Sequence, residues 1–158
     1  MLDPACGSMH FGLYAFDLFE QIYSEAWDIE EEKGQKAFYC EDGCSPKEPL
    51  HDSYLDRESF IADVPRLIIE HNIHGVDIDP RAAQIAGLSL WLRSQKSWSA
   101  NDIKPDDRPQ IQRSNIVCAE PMPGEKPLLK EFTSQVQPRV LGQLVEDIFD
   151  KMQLAGEA

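Results

Sequence analysis

The sequence predicts an α/β fold in which a partial parallel sheet is flanked by helices. Three observations predict it. A turn of small residues at positions 3–8 leads into a helix, and two later apolar segments, starting near residues 73 and 111, are each followed by a helix. This alternation is typical of parallel strands joined by crossover helices. The chain has 158 residues and 42% apolar residues, which suits one domain or part of one.

The first element is a strand that leads through a tight loop into a helix. An apolar residue runs into Asp3-Pro4, and Gly7 and Ser8 then leave room for a ligand close to the backbone. The helix that follows directs its N-terminal N–H groups at the same space. Since a buried parallel strand needs about five residues, we expect a first strand that is cut short at residues 1–2.

The first helix is predicted over Phe11–Trp27, and an acidic insertion without periodicity over residues 28–56. We expect Glu30 to Glu32 to be a solvated run. The helix is expected to bury one apolar stripe, made of Phe11, Tyr14, Ala15, Leu18, Phe19 and Ile22.

Two interpretations fit the spacing of Cys40, Cys44 and His51. They would be three zinc ligands, or they would lie in an ordinary turn. The cysteine spacing is one residue longer than a compact knuckle, and no second cysteine pair follows. Such spacings discriminate weakly, so the turn is favoured.

The middle of the chain predicts a helix, a strand and a second helix. The helix runs over Glu58–Asn72 and should kink or divide at Pro65. A strand follows at Ile73–Ile78, and Asp79 then caps a helix that begins at Pro80 and runs to about Lys96. That helix should bury Ala82, Ile85, Ala86, Leu88 and Leu92.

The last third predicts a polar loop, a strand and a helix. Residues 97–108 read as the loop and Ile111–Ala119 as the strand. The final helix, roughly Leu128–Leu154, should be interrupted near Pro138.

Asp77 and the loop at residues 3–8 together suggest a nucleoside-binding site. In doubly wound sheets the ligand lies across the carboxyl ends of the strands, and an acid after the second strand binds the ribose hydroxyls. A carboxylate offers two acceptor oxygens to two vicinal donors. Ile78 would then pack on the adenine face.

Three segments resemble N6-adenine DNA methyltransferases. Residues 3–11, DPACGSMHF, match eight of nine positions of that family's S-adenosylmethionine (SAM) loop, DPACGSGHF. HGVDIDPRAAQIAGLSLWLR is similar to its second SAM motif. NIVCAEPMPGE is similar to the third region in large phage-defence methyltransferases of the BREX type, related to those of restriction–modification systems.

The resemblance implies a Rossmann-like SAM-dependent methyltransferase core over 1–158, cut short at both ends. SAM would be its cofactor. Asp77 would hold the ribose and Ile78 the adenine ring, while Glu120 would supply the acid near the adenine amino group. The methionine and amino-carboxylate end would lie against Asp3, Ala5, Gly7 and Ser8.

The resemblance also shows what this chain lacks. Family members use an Asn/Asp-Pro-Pro-Tyr/Phe motif to hold the flipped adenine, and no Pro-Pro dipeptide occurs here. No catalytic residue is assigned, and the chain alone is expected to be inactive. Its net charge of −13 disfavours a phosphate-binding face, so double-stranded DNA would be bound by other parts of the parent protein.

Met9 stands where the family loop has its second glycine. If that position has a positive φ, methionine adds about 1–2 kcal/mol of backbone strain. Its side chain would also approach the space of a ligand. We therefore hypothesise weakened SAM binding, which a dissociation constant in the low micromolar range would contradict.

Two other function classes compete with this interpretation. One is a non-catalytic α/β interaction module that has lost the SAM pocket. The other is a dinucleotide-dependent oxidoreductase, which the absence of a three-glycine fingerprint disfavours.

We expect a cytoplasmic protein that does not associate with membranes. No apolar run approaches the roughly 18 residues that span a bilayer, and no basic region precedes the N-terminal apolar stretch. The short first strand would leave a free sheet edge and exposed apolar surface, so we also expect self-association.

Overall fold

A computed structural model describes residues 1–34, 37–38, 48–119 and 126–156 of the chain. They fall into two compact units, Met1–Ala119 and Glu120–Ala158. Each helix in the described part of the chain is too short or too polar to cross a lipid bilayer.

The first unit alternates strands and helices as predicted. Its strands are β1 (Leu2–Asp3), β2 (His74–Asp77) and β3 (Asn115–Cys118). Its helices are α1 (His10–Lys33), α2 (Leu50–Ser53), α3 (Arg57–Leu67) and α4 (Pro80–Ala100), with a π-helical turn at Ile68–Asn72 and a 3₁₀ turn at Pro105–Asp107.

The three strands form one parallel sheet in the order β1-β2-β3. Leu2 pairs with His74, which pairs with Asn115 on its other side. Parallel strands bring their carboxyl ends to one edge, so Asp3, Asp77 and Cys118 end at the same side of the sheet. The predicted α/β class with a partial parallel sheet is confirmed, and β1 is as short as expected.

One apolar core holds α1, α3 and α4 on the sheet. The aromatic rings of Trp27 and Phe60 stack at its centre, with centroids 5.0 Å apart. The Trp98 indole N–H donates to the Ala62 carbonyl at 2.7 Å and joins α4 to α3. The buried core residues are Cys6, Met9, Phe16, Trp27, Phe60, Val64, Ile68, Ile69, Ile73, Ala86 and Leu90.

The buried face predicted for α1 is wrong at most of its residues. The helix buries Gly12, Phe16, Trp27 and Glu30. Four residues of the predicted stripe lie outward and are 45–76% exposed, namely Phe11, Tyr14, Leu18 and Ile22. Phe19 packs against the core as predicted.

The buried face predicted for α4 is also partly wrong. Ala86 is buried as expected, but Ile85, Leu88 and Leu92 are each more than half exposed. Ser97 and Trp98, assigned to a polar loop, are buried because α4 continues to Ala100.

The predicted start of the acidic insertion is also wrong. Helix α1 continues from Asp28 to Lys33, and Leu50–Ser53 forms a short helix. Glu31 and Glu32 are exposed as expected, but Glu30 is buried. Its carboxylate accepts the backbone N–H of Leu50 at 3.0 Å and of His51 at 2.9 Å, which compensates for its burial.

The predicted division of the second helix is confirmed near Pro65. The α-helical pattern holds to Leu67 and changes to a π-helical turn at Ile68. Asp56 caps α3 by accepting the Ser59 N–H at 2.8 Å.

The second unit is a helical hairpin of α5 (Lys126–Gln135) and α6 (Arg139–Gly156). The break between them includes Pro138, as predicted. Thr133 donates its hydroxyl to Glu146 at 2.5 Å, and Gly142 lies against the Thr133 carbonyl, where a Cβ would stand only 2.6 Å away.

Candidate functional site: the loop after β1 and the end of β2

The loop between β1 and α1 turns sharply and is fixed to β2. The Cys6 N–H donates to the Val76 carbonyl at 2.9 Å, and the Met9 N–H closes a turn on the Cys6 carbonyl at 2.8 Å. Gly7 has φ 52° and Met9 has φ 71°. The backbone at Gly7 and Met9 therefore has the left-handed conformation that favours glycine.

Asp77 connects the end of β2 to this loop. One carboxylate oxygen accepts the Gly7 N–H at 2.8 Å and the other accepts the Asp79 N–H at 2.9 Å. These two backbone donors, Asp79 first, hold the pKa of Asp77 below its ordinary range. The Ile78 N–H is a weaker third donor to this carboxylate, and since a carboxylate has about four acceptor positions, a further donor can still bind it.

Asp79 serves the helix cap as predicted. Its carboxylate accepts the Arg81 N–H at 2.9 Å, and Pro80 begins α4. The Arg81 side chain pairs with the same carboxylate at 3.1 Å. Because Asp79 is engaged by α4, Asp77 is the acid that faces the loop.

Met9 has the positive φ that its place in the loop suggested, but its side chain does not approach ligand space. It is fully buried in the core. It lies on Gly12, where an added Cβ would come within 2.4 Å of the Met9 methyl carbon. The side chain therefore packs under α1 rather than into the loop.

Cys6 makes a second close contact beneath the loop, with Gly75. A Cβ on Gly75 would stand 3.1 Å from the Cys6 sulfur and 2.9 Å from Ile116. Burial, followed by the charges of Asp77 and Asp3, raises the pKa of the Cys6 thiol, so it stays protonated. Sequence reasoning missed Gly12 and Gly75, although a glycine inside a helix or strand does signal a close approach.

The remaining predicted residues lie around the same loop. Asp3 accepts the Ala5 N–H at 3.2 Å, and the Ser8 hydroxyl pairs with the His10 Nδ1 at 2.8 Å. Ile78 is 69% exposed beside Asp77. The structure thus brings together Asp3, Ala5, Gly7, Ser8, Asp77 and Ile78, while Glu120 lies outside the described residues.

The zinc hypothesis is tested only at His51. Its Nδ1 lies 2.9 Å from the Glu30 carboxylate, and its ring stacks on Trp27 at 4.1 Å. Cys40 and Cys44 lie outside the described residues. Within the described ranges, no group of three His, Cys, Asp or Glu side chains is arranged to hold a metal ion.

A separate cavity of about 540 Å³ lies between α1, α3 and α4. Charged, small polar and apolar side chains line it, the charged ones being Glu20, Arg57, Glu58, Arg93 and Lys96. It lies beside the C-terminal part of α4, whereas the Asp77 loop lies at the N-terminal ends of α1 and α4. The cavity and the candidate site therefore do not coincide.

Comparison with known proteins indicates a relationship to a methyltransferase. A stretch of 96 residues, 61% of the chain, is 31% identical to the adenine-specific methyltransferase BrxX of Escherichia coli O9:H4 (strain HS). The match is partial, because it spans 5% of the length of BrxX. No family model matches the chain, and no solved structure matches it.

Proposed function

We propose that this chain is the SAM-binding part of an adenine-N6 DNA methyltransferase of a restriction–modification or phage-defence system. The observation that carries the proposal is the Asp77 carboxylate, which ends β2 and accepts the Gly7 N–H. The relationship to an adenine-specific methyltransferase supports the reaction class. Double-stranded DNA would be bound by parts of the parent protein other than this acidic chain.

The residues of the loop fit SAM in three respects. The Asp77 carboxylate has acceptor capacity beyond its backbone donors for a ribose hydroxyl. Ile78 offers an exposed apolar side chain for the adenine ring. A methyl group added to Gly7 would contact nothing within 4 Å, so the space beside the loop is open to a ligand.

The start of α1 suits the amino-carboxylate end of SAM. No side chain caps this helix, so its first backbone N–H groups have no partner inside the helix and attract a carboxylate. SAM carries its transferable methyl group on a sulfonium, and this chain's residues would hold and orient it. The adenine-binding Pro-Pro motif is absent from the sequence, so methyl transfer needs residues outside this chain.

Calorimetric titration of SAM into the chain tests the proposal. We expect saturable binding, no comparable binding of NAD, and at least about tenfold weaker binding of SAM by Asp77→Ala. Asp107→Ala removes an exposed acid remote from the loop and should bind as the parent chain does. Circular dichroism of each variant checks that it is folded.

Three results would contradict the proposal. Absence of SAM binding by a folded chain would favour the non-catalytic interaction module, and preferential binding of NAD would favour the oxidoreductase. Equal SAM binding by the parent chain and Asp77→Ala would show that the acid is not part of the site.

A further inference from the structure

The turn between β1 and α1 is held at both ends by buried side chains. Cys6 is 5% exposed and Met9 is fully buried, whereas Gly7 and Ser8 between them are partly exposed. The Cys6 carbonyl accepts the Met9 N–H at 2.8 Å, so these four residues form one closed turn. The turn therefore presents Gly7 and Ser8 to the outside while Cys6 and Met9 fix its two ends in the core.

Met9 attaches its end of the turn to α1 in two ways. Its side chain lies in the notch at Gly12, where an added Cβ would stand 2.4 Å from the Met9 methyl carbon and 2.6 Å from its Cγ. Its carbonyl accepts the Leu13 N–H at 2.8 Å and so begins the hydrogen bonding of the helix. The fit needs a residue without a side chain at position 12, so Met9 and Gly12 pack as a pair.

The residue that this turn presents is the one that bonds to the acid of the candidate site. Gly7 donates its N–H to the Asp77 carboxylate at 2.8 Å. Glycine has little conformational preference of its own, so the ends of the turn must hold Gly7 at its φ of 52°. A loop that adopts its binding conformation for only part of the time binds a ligand more weakly by that fraction.

We propose that Met9 is a positioning residue of the SAM loop, which it anchors to α1 through Gly12 so that the Gly7 N–H stays on Asp77. This role rests on the proposed function. Met9 is buried away from the space beside the loop, so it acts on the ligand through Gly7 and Asp77. Its effect is opposite in sign to the expectation from the sequence, because the methionine strengthens SAM binding where the family glycine would leave the turn loose.

Calorimetric titration of SAM into three Met9 variants tests the sign of this effect. Met9→Leu keeps a buried side chain of similar volume and should bind SAM within about threefold of the parent chain. Met9→Ala keeps a side chain at the positive φ but loses the anchor, and Met9→Gly loses both. We expect both of these variants to bind at least about tenfold more weakly. If the methionine obstructed SAM instead, both would bind more tightly than the parent chain.

Amide hydrogen exchange of the ligand-free chains measures the anchoring itself. The Gly7 amide should exchange faster in Met9→Ala and Met9→Gly than in the parent chain, and Met9→Leu should restore the slower rate. This readout follows the bond between Gly7 and Asp77 without any SAM present.

Trp98→Phe is the matched control for a general loss of stability. Trp98 is buried in the C-terminal part of α4 and donates to the Ala62 carbonyl, away from the loop. The substitution removes that donor and should lower the urea concentration at which the chain unfolds. We expect it to leave both the exchange of the Gly7 amide and the SAM affinity as they are in the parent chain.

Three results would overturn the proposal while the proposed function stands. Folded Met9→Gly would bind SAM as tightly as the parent chain or more tightly, or the Gly7 amide would exchange at the same rate in all variants, or Trp98→Phe would lose as much affinity as Met9→Ala. If the parent chain itself binds no SAM, the proposed function fails and the ligand role of Met9 fails with it. Circular dichroism shows which variants are folded.

Discussion

At the scale of single residues, Met9 combines an unfavourable backbone conformation with a favourable burial of its side chain. Its left-handed backbone costs about 1–2 kcal/mol relative to glycine. Burying a methionine side chain contributes about 2–5 kcal/mol, judged by truncation of similar side chains. Burial stabilises the chain by more than the strain costs, which explains how a residue with φ 71° is held in the loop.

A double-mutant cycle between Met9 and Gly12 tests this packing. Gly12→Ala places its Cβ against Met9 and should destabilise the chain, because overpacking costs about 1–3 kcal/mol and outweighs the helix propensity of alanine. In the Met9→Gly background the clash is absent, and Gly12→Ala should stabilise the chain by about 1 kcal/mol. Urea unfolding measures both.

Gly87→Ala is the matched control for that cycle. Gly87 lies inside α4, and an added Cβ would meet nothing closer than the Ser114 hydroxyl at 4.0 Å. We expect Gly87→Ala to stabilise the chain by about 1 kcal/mol whether or not Met9 is present. If Gly12→Ala behaves like Gly87→Ala in the parent chain, the proposed packing is wrong.

At the scale of elements, Glu30 joins the end of α1 to the start of α2. Burial opposes its ionisation, but the donors of His51 and Leu50 outweigh burial and lower the pKa of Glu30. A carboxyl with a lower pKa in the folded state stabilises the fold above its unfolded pKa. That contribution is lost as the pH falls through the folded pKa.

Removing the Glu30 carboxylate should therefore weaken the chain and change its acid sensitivity. Glu30→Ala leaves the backbone donors of Leu50 and His51 without their acceptor, and we expect a loss of about 2–4 kcal/mol near neutral pH. The variant should also lose less of its stability than the parent chain below pH 4.5. Thermal or urea unfolding across a pH series measures both effects.

Glu31→Ala provides the comparison, because Glu31 is exposed on the same turn. Its effect should stay within about 0.5 kcal/mol at every pH. Equal effects of the two substitutions would mean that Glu30 does not hold α2.

The order and type of most elements could be predicted, because apolar spacing, Asp79-Pro80 and Pro138 are local signals. The buried faces could not. Helix α1 has apolar residues on two opposite sides, and spacing alone does not tell that Phe16 and Trp27 face the core while Phe11 and Leu18 face outward. The burial of Glu30 depends on α2, which is distant in sequence and has no periodic signal.

The candidate site was predicted more completely than the core beneath it. Asp3, Gly7 and Asp77 belong to short motifs whose positions follow from the carboxyl ends of the strands. The Met9–Gly12 and Cys6–Gly75 contacts depend on tertiary packing, which a single sequence does not encode locally. The roles of the loop residues toward SAM stay predictions.

At the scale of the whole molecule, the first unit presents the Asp77 loop at one end of its helices and exposed apolar residues along the outer side of α1 and α4. The chain spans 5% of the curated methyltransferase it matches. Its net charge of −13 disfavours a phosphate-binding face, and the proposal assigns this unit the cofactor rather than the DNA.

Amide chemical shifts during a SAM titration test the central claim most directly. If SAM binds at the carboxyl ends of the strands, the amides of Gly7, Ile78 and Asp79 should shift and saturate together. The amides of Ser97 and Asn101, which line the separate cavity, should stay in place. Shifts confined to the cavity, or none at saturating SAM, would contradict a cofactor site at the Asp77 loop.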